Sequence, residues 1–194
     1  MLIKTRIVRI FNLKGVILSL LAQFKLLAHY NQVMNQRQYA AAALLSTMQL
    51  NQDQGAFFKS VIGTLNHILV GDLIWLKRFA HYTLANQALL GLVAKPTPQT
   101  LNAILINNIE ELSQERAIID QVLIAWINDL TEADLETCLA YKNMQGLDLN
   151  RRLSDLITHL FMHQVHHRGQ VTTLLSQYRI DFGETDLLEF LDAC

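Results

Sequence analysis

Seven histidines occur in this 194-residue chain, and four of them fall in one segment, His159-Leu-Phe-Met-His163-Gln-Val-His166-His167-Arg168-Gly169-Gln170. On a helix, side chains four residues apart stack on one face with their β-carbons about 5–6 Å apart. His159, His163 and His167 therefore form a column, and His166 joins its side. Two imidazoles at that spacing can reach one cation, which is the logic of paired histidines in helical zinc sites. Two ligands alone bind weakly, whereas a third from another helix completes a face of three nitrogens and leaves positions open for water or substrate. His67 is the candidate for that third position, because it sits among Leu65, Ile68, Leu69 and Val70, where an imidazole is costly unless its nitrogens have partners. Gly71, one turn later, is expected to leave space beside it for a metal or ligand. Read alone, His67 is first a hydrogen-bonded core histidine. The His163/His167 pair reads either as ligands or as helix-surface histidines, since a spacing of four arises readily by chance.

The elements that must carry these residues are helical. Apolar residues make up 51% of the chain and charged residues 17%, enough for a substantial core. Two prolines and eight glycines leave long stretches without a helix breaker. Apolar periodicity predicts helices over 20–48, 56–82, 99–128 and 151–178, with Pro98 introducing the third. The period breaks over 135–149, where Cys138–Tyr141 and Gly146–Leu149 suggest a small hairpin or two extended pieces, and a short helix is expected from Asp186 onward. Four long amphipathic helices with little strand predict an all-α fold, a four-helix bundle with a small hairpin before the last long helix.

Composition bounds the function. The formal net charge is -1, so nothing global points to nucleic acid. Lys4, Arg6, Arg9, Lys14, Lys25 and Arg37 all precede the first acidic residue, Asp53, but they are spread thinly, as on a solvated helix face. The apolar run Val16–Ala22 is far shorter than the roughly 20 residues a membrane span requires. Residues 1–22 are read as an N-terminal extension without an assigned role, and residues 23–194 as the bundle domain. Two scattered cysteines, Cys138 and Cys194, exclude a disulfide framework and suit a reducing cytoplasm. Neither a phosphate loop nor a Ser–His–Asp order is present.

The chain from about Phe24 to Leu191 resembles the DinB-like family of damage-inducible, metal-binding helical bundles. The resemblance is carried by Tyr30-Asn31 with Asn35, by Gly63-Thr64-Leu65-Asn66-His67 followed by Asp72 and Trp75, and by His163-Gln-Val-His166-His167-Arg168-Gly169-Gln170. It implies that the metal ligands are His67 from the second predicted helix with His163 and His167 from the last, and that no ligand is missing. The implied cofactor is one divalent transition-metal cation: zinc, nickel or iron. Related bundles include transferases that join small thiols to electrophiles, and a thiol-dependent isomerase.

The expected function is a metal centre that activates a small thiol or water for attack on a small-molecule electrophile. The alternative is a non-catalytic metal-binding stress-response protein. Neither nucleic acid nor membrane is expected as a partner. A homodimer is expected, because Ile104, Leu105, Ile106, Ile109, Ile118, Ile119, Val122 and Leu123 spread wider than one core stripe needs. Four further residues carry expectations of their own. Gly169 is expected to permit close helix packing, Arg168 to form a salt bridge to another helix or hold an acidic substrate group, Gln170 to bond a buried backbone or metal-bound water, and His159 to line the cavity or pack.

Overall fold

The computed structural model describes residues 19–82 and 87–191. The greater part of the N-terminal extension and Cys194 lie outside the described residues. Helix α1 (Leu20–Ala42) begins where Ser19 caps it, its hydroxyl accepting from the Ala22 amide. The predicted continuation to residue 48 is interrupted. Ser46 and Gln49 form a capping box, and a separate short helix α2 (Thr47–Asn51) starts there. A serine that bonds nearby backbone competes with the helical ladder, which is why the break falls at this point.

Helix α3 (Val61–Tyr82) starts five residues later than its predicted start at 56. Gly55 and Lys59 both adopt positive φ, 72° and 69°, and fold residues 55–59 into a turn instead. Gly63 is required beneath it, since a β-carbon there would stand 2.1 Å from the Phe58 carbonyl oxygen. From residue 61 to 80 only Trp75 and Arg78 are less than fully buried, so α3 is the core helix.

Helix α4 (Gln87–Val93) buries Leu89 and Leu92 against the core and was not predicted. The largest correction follows it. The third long helix, α5, runs from Ile109 to Asp129, not from Gln99, and Asn108 rather than Pro98 opens it by accepting from the Glu111 amide. Residues 94–108 form an irregular segment whose backbone groups are bonded by side chains of α3. Asn66 accepts from the amides of Leu105 and Ile106 and donates to the Ile106 carbonyl, and His67 holds the Leu101 carbonyl. Backbone groups satisfied in this way gain nothing by turning into helix.

After the short helix α6 (Glu132–Leu135), strands β1 (Cys138–Lys142) and β2 (Asp148–Arg152) pair antiparallel, with Cys138 opposite Arg152. The predicted hairpin is present, its second strand shifted two residues on so that it feeds directly into α7 (Leu153–Gln177). A 3-10 turn at Leu187–Phe190 ends the described chain near α1, where the Arg37 guanidinium pairs with Glu189 at 3.0 Å. Helix α1 packs on α5 and α7, and α3 packs on the same two, which gives the expected all-α bundle with its hairpin. No helix among the described residues is long and apolar enough to cross a membrane.

The middle of this bundle is charged. Arg116 of α5 donates to Asp72 of α3 at 2.5 Å and stands 3.0 Å from Asp120, one turn along its own helix. Asn35 of α1 donates to Asp120 at 2.9 Å, and Gln164 of α7 donates to Asp72. Arg168 of α7 donates to Asn31 of α1, and Gln38 donates to the Arg168 carbonyl at 2.9 Å. All eight side chains are buried. Burial pushes the Asp72 carboxyl up to about 6 against the pull of Arg116, and raises Asp120 for the same reason.

Arg116→Leu would strand two buried carboxyls and is expected to cost about 3–5 kcal/mol at neutral pH, the scale for breaking a buried ion pair. A carboxyl whose folded pKa is raised stabilises the fold below its unfolded pKa and loses that contribution as pH rises through the folded one. With the opposing guanidinium gone, Asp72 rises further, so the variant's deficit should shrink as pH falls toward and below about 6. Urea unfolding of both proteins across this range checks it. A deficit independent of pH would contradict the assignment.

Candidate metal centre

His67 leaves α3 at the level where His163 and His167 leave α7. The ligating nitrogens of the three rings lie within 4.8 Å of one another, and they form a group of the kind that can hold a metal ion. Nε2 of His67 is 3.0 Å from Nε2 of His163 and 3.0 Å from Nε2 of His167. Two nitrogens about 2.1 Å from a shared ion, at angles between square and tetrahedral, stand roughly 3.0–3.4 Å apart.

Hydrogen bonding on the far side of each ring decides what these nitrogens present. A carbonyl can only accept, so Nδ1 of His67 donates to Leu101 at 2.7 Å and its Nε2 carries a lone pair. Nδ1 of His167 donates to the Gln170 side-chain oxygen at 2.8 Å, while the Gln170 amide nitrogen faces His166 at 3.2 Å. Nε2 of His167 is therefore also a lone pair. Two lone pairs opposed at 3.0 Å repel unless a cation lies between them. Burial lowers all three imidazoles, and His163 is brought to about 3 by burial first and the neighbouring histidines next. Neutral rings are what a metal requires.

His163 is held differently. Its Nδ1 is buried without a hydrogen-bond partner among the described residues. Its ring is placed by shape instead, because a β-carbon at Gly71 would stand 2.7 Å from His163 Cε1. The space expected beside Gly71 for a metal or ligand is thus occupied by a candidate ligand's own ring. Phe58 stacks on His67 with centroids 3.7 Å apart and meets His167 edge-on at 5.5 Å. Sequence reasoning missed this residue, because an aromatic side chain carries no ligand signal, and it missed the Leu101 carbonyl because loop carbonyls carry none either. Asn66 did carry one, as a polar side chain on an apolar helix next to His67.

The other expectations divide. His159 is exposed and lies outside the cluster, edge-on to Trp75 at 5.3 Å with its ring 6.1 Å from that of His163. Burial and, after it, the charge of Arg78 lower its imidazole. His166 is exposed and lies outside the group of three, where the Gln170 amide nitrogen faces it. Gln170 bonds His167 itself rather than backbone. Arg168 reaches another helix by lying over the Tyr30 ring and donating to Asn31, and no salt bridge joins it to a carboxylate among the described residues. Gly169 is exposed, and a β-carbon there would meet nothing within 4 Å, so it does not serve helix packing. A cavity of about 170 Å³ between α1, α7 and the tail is lined by Tyr30, Arg37, Arg168 and Phe182, and by none of the three histidines.

Comparison with known proteins agrees with this architecture. A sequence model of the DinB family matches residues 19–193, beginning at the serine that caps α1. The chain is also similar to Protein DinB of Bacillus subtilis (strain 168), 24% identical over 160 residues that cover 82% of this chain and 88% of that protein. No solved structure matches it significantly. With a match that spans nearly every described residue, the chain belongs to the DinB family.

Proposed function

We propose that His67, His163 and His167 hold one divalent transition-metal cation, and that the centre activates a small thiol or a water for attack on a small-molecule electrophile. The observation that carries the metal is the pair of opposed lone pairs on His67 and His167, each fixed by a partner on its far nitrogen. A bound divalent cation would supply Lewis acidity and lower the pKa of a thiol or water brought to it. The chain's own residues do the rest. Leu101 and Gln170 fix ring tautomers, Gly71 admits the His163 ring, and Phe58 walls one side with an apolar face. The three-membered ligand-type group is made of neutral imidazoles alone, so a bound cation keeps its full charge. That favours an anionic thiolate over a water needing a carboxylate base. A reducing cytoplasm is where such thiols are held reduced.

A non-catalytic role is favoured by one fact: the ligands come from two helices, so the cation also ties α3 to α7. Activity of the metal-loaded protein toward small thiols and electrophiles, screened together, separates the two readings. The expected homodimer now rests chiefly on Ile118, 51% exposed on α5, because Ile104, Leu105 and Ile106 precede that helix. Light scattering at micromolar concentration decides it, and a mass that stays near 22.1 kDa on concentrating rules the dimer out.

Purified protein should carry close to one transition metal per chain by elemental analysis. Replacing His67, His163 or His167 by Ala should each abolish tight binding, while His166→Ala should not. Absence of stoichiometric metal, even after reconstitution with zinc and nickel, would sink the centre. Chelation should lower the melting temperature without erasing the helical circular-dichroism signal, since the apolar core is independent of the site.

Gly71→Ala isolates the steric part of the design. Alanine improves helix propensity by up to about 1 kcal/mol, yet its methyl displaces the His163 ring. Metal affinity is expected to fall about 10–100-fold, the range for disturbing a ligand's support, while the metal-free protein stays folded. Competition against a chromophoric chelator measures this, and an unchanged affinity would show that His163 is not a ligand.

A further inference from the structure

Arg37, Arg116 and Arg152 each pair with a carboxylate. Arg78 does not. It is half-buried on α3, and its guanidinium packs against two rings that meet edge to face, 4.6 Å from the Trp75 centroid and 5.0 Å from that of Tyr141 on the hairpin. Nη2 donates to the Lys142 carbonyl at 2.9 Å, and the other donors have no hydrogen bond among the described residues. A guanidinium packed on aromatic rings along one side keeps its edge for recognition, and that edge matches a carboxylate. The clamp also continues a row from the histidines. His67, Gly71, Trp75 and Arg78 follow one another at helical spacing along α3, and exposed His159 bridges between His163 and Trp75. Gly71 touches His163, and Arg78 stands about two turns further, roughly 10 Å along the axis.

We propose that Arg78 is a specificity-determining residue: it binds the carboxylate end of an elongated substrate whose thiol end lies at the three histidines. This rests on the thiol-activating function above. Trp75 and Tyr141 act as positioning residues that fix the plane of the guanidinium, and His159 with the Trp75 edge forms the floor between the two ends. An unpaired half-buried cation is otherwise a cost that a neutral side chain of similar size would avoid.

The test uses the full chain loaded with cobalt(II), titrated with ω-mercaptoalkanoates of about two to about seven methylene groups, a range that brackets the roughly 10 Å span. Their methyl esters are titrated alongside, and the thiolate-to-cobalt charge-transfer band reports binding. Once the chain is long enough, the acid should bind about tenfold more tightly than its ester, the measure of one charge-assisted hydrogen bond. Arg78→Met should bring the acid-to-ester ratio close to one, and Arg78→Lys should keep part of it. A merely structural clamp would weaken acid and ester alike and leave the ratio untouched. Equal binding of acid and ester by the unaltered protein at every length overturns the proposal, as does discrimination that survives in Arg78→Met. The first of these needs no variant to fold. Cobalt that does not load, or loads and binds no thiol, overturns the metal or thiol function and this proposal with it, and each is distinct from the loss of discrimination alone.

Discussion

Arg116 is a full positive charge enclosed by the four long helices, and the arrangement around it follows from the need to neutralise and bond it. A guanidinium in an apolar interior is tolerable only with anions and acceptors at hydrogen-bond distance. Asp72 and Asp120 supply the charge, while Asn35 and Gln164 bond the carboxylates in turn. The partners come from α1, α3, α5 and α7, so the network tolerates only a narrow range of rotations and slides for each helix. Apolar contacts between smooth faces would allow several. Ionic pairs in a core add little net stability over a well-packed apolar substitute. What this cluster contributes is a single register.

The candidate centre inherits that register. Asp72 follows Gly71 in the chain, and Gln164 follows His163. The hydrogen bond between Asp72 and Gln164 therefore fixes α3 against α7 one residue away from the Gly71–His163 contact. Ligands carried on two helices need their backbones held to a fraction of an ångström. Here the ionic core provides that on one side and the 94–108 segment on the other, through the Leu101 carbonyl and the Asn66 clamp. Of the three rings, His67 and His167 are oriented by hydrogen bonds on their far nitrogens and His163 by its contact with Gly71.

The same row of α3 residues does two kinds of work. Up to Gly71 it faces α7 and the histidine cluster, through His67 and the contact of Gly71 with His163. Beyond it, Trp75 and Arg78 emerge between α7 and the hairpin, where β1 brings Tyr141 over the guanidinium. The hairpin thus builds one wall of the region next to the histidines, a role for a small sheet in an otherwise helical protein.

The sequence by itself determined the helical class and the hairpin, because periodicity is a local property of the chain, and four-residue spacing singled out His163 and His167, whereas His67 joined them through the family resemblance. It also displayed Asn31, Asn35, Asp72 and Arg168 as polar residues on apolar helices without saying what they bond. Pairing of Asp72 with Arg116 and Gln164 depends on which helices become neighbours, and no local pattern encodes that. Tertiary structure alone decided that residues 99–108 are not helix, since their backbone groups are satisfied by Asn66 and His67 from a segment more than thirty residues earlier. It also reversed the meaning of Gly71: a missing side chain says that something approaches, and only the packing of α7 on α3 shows that the visitor is His163.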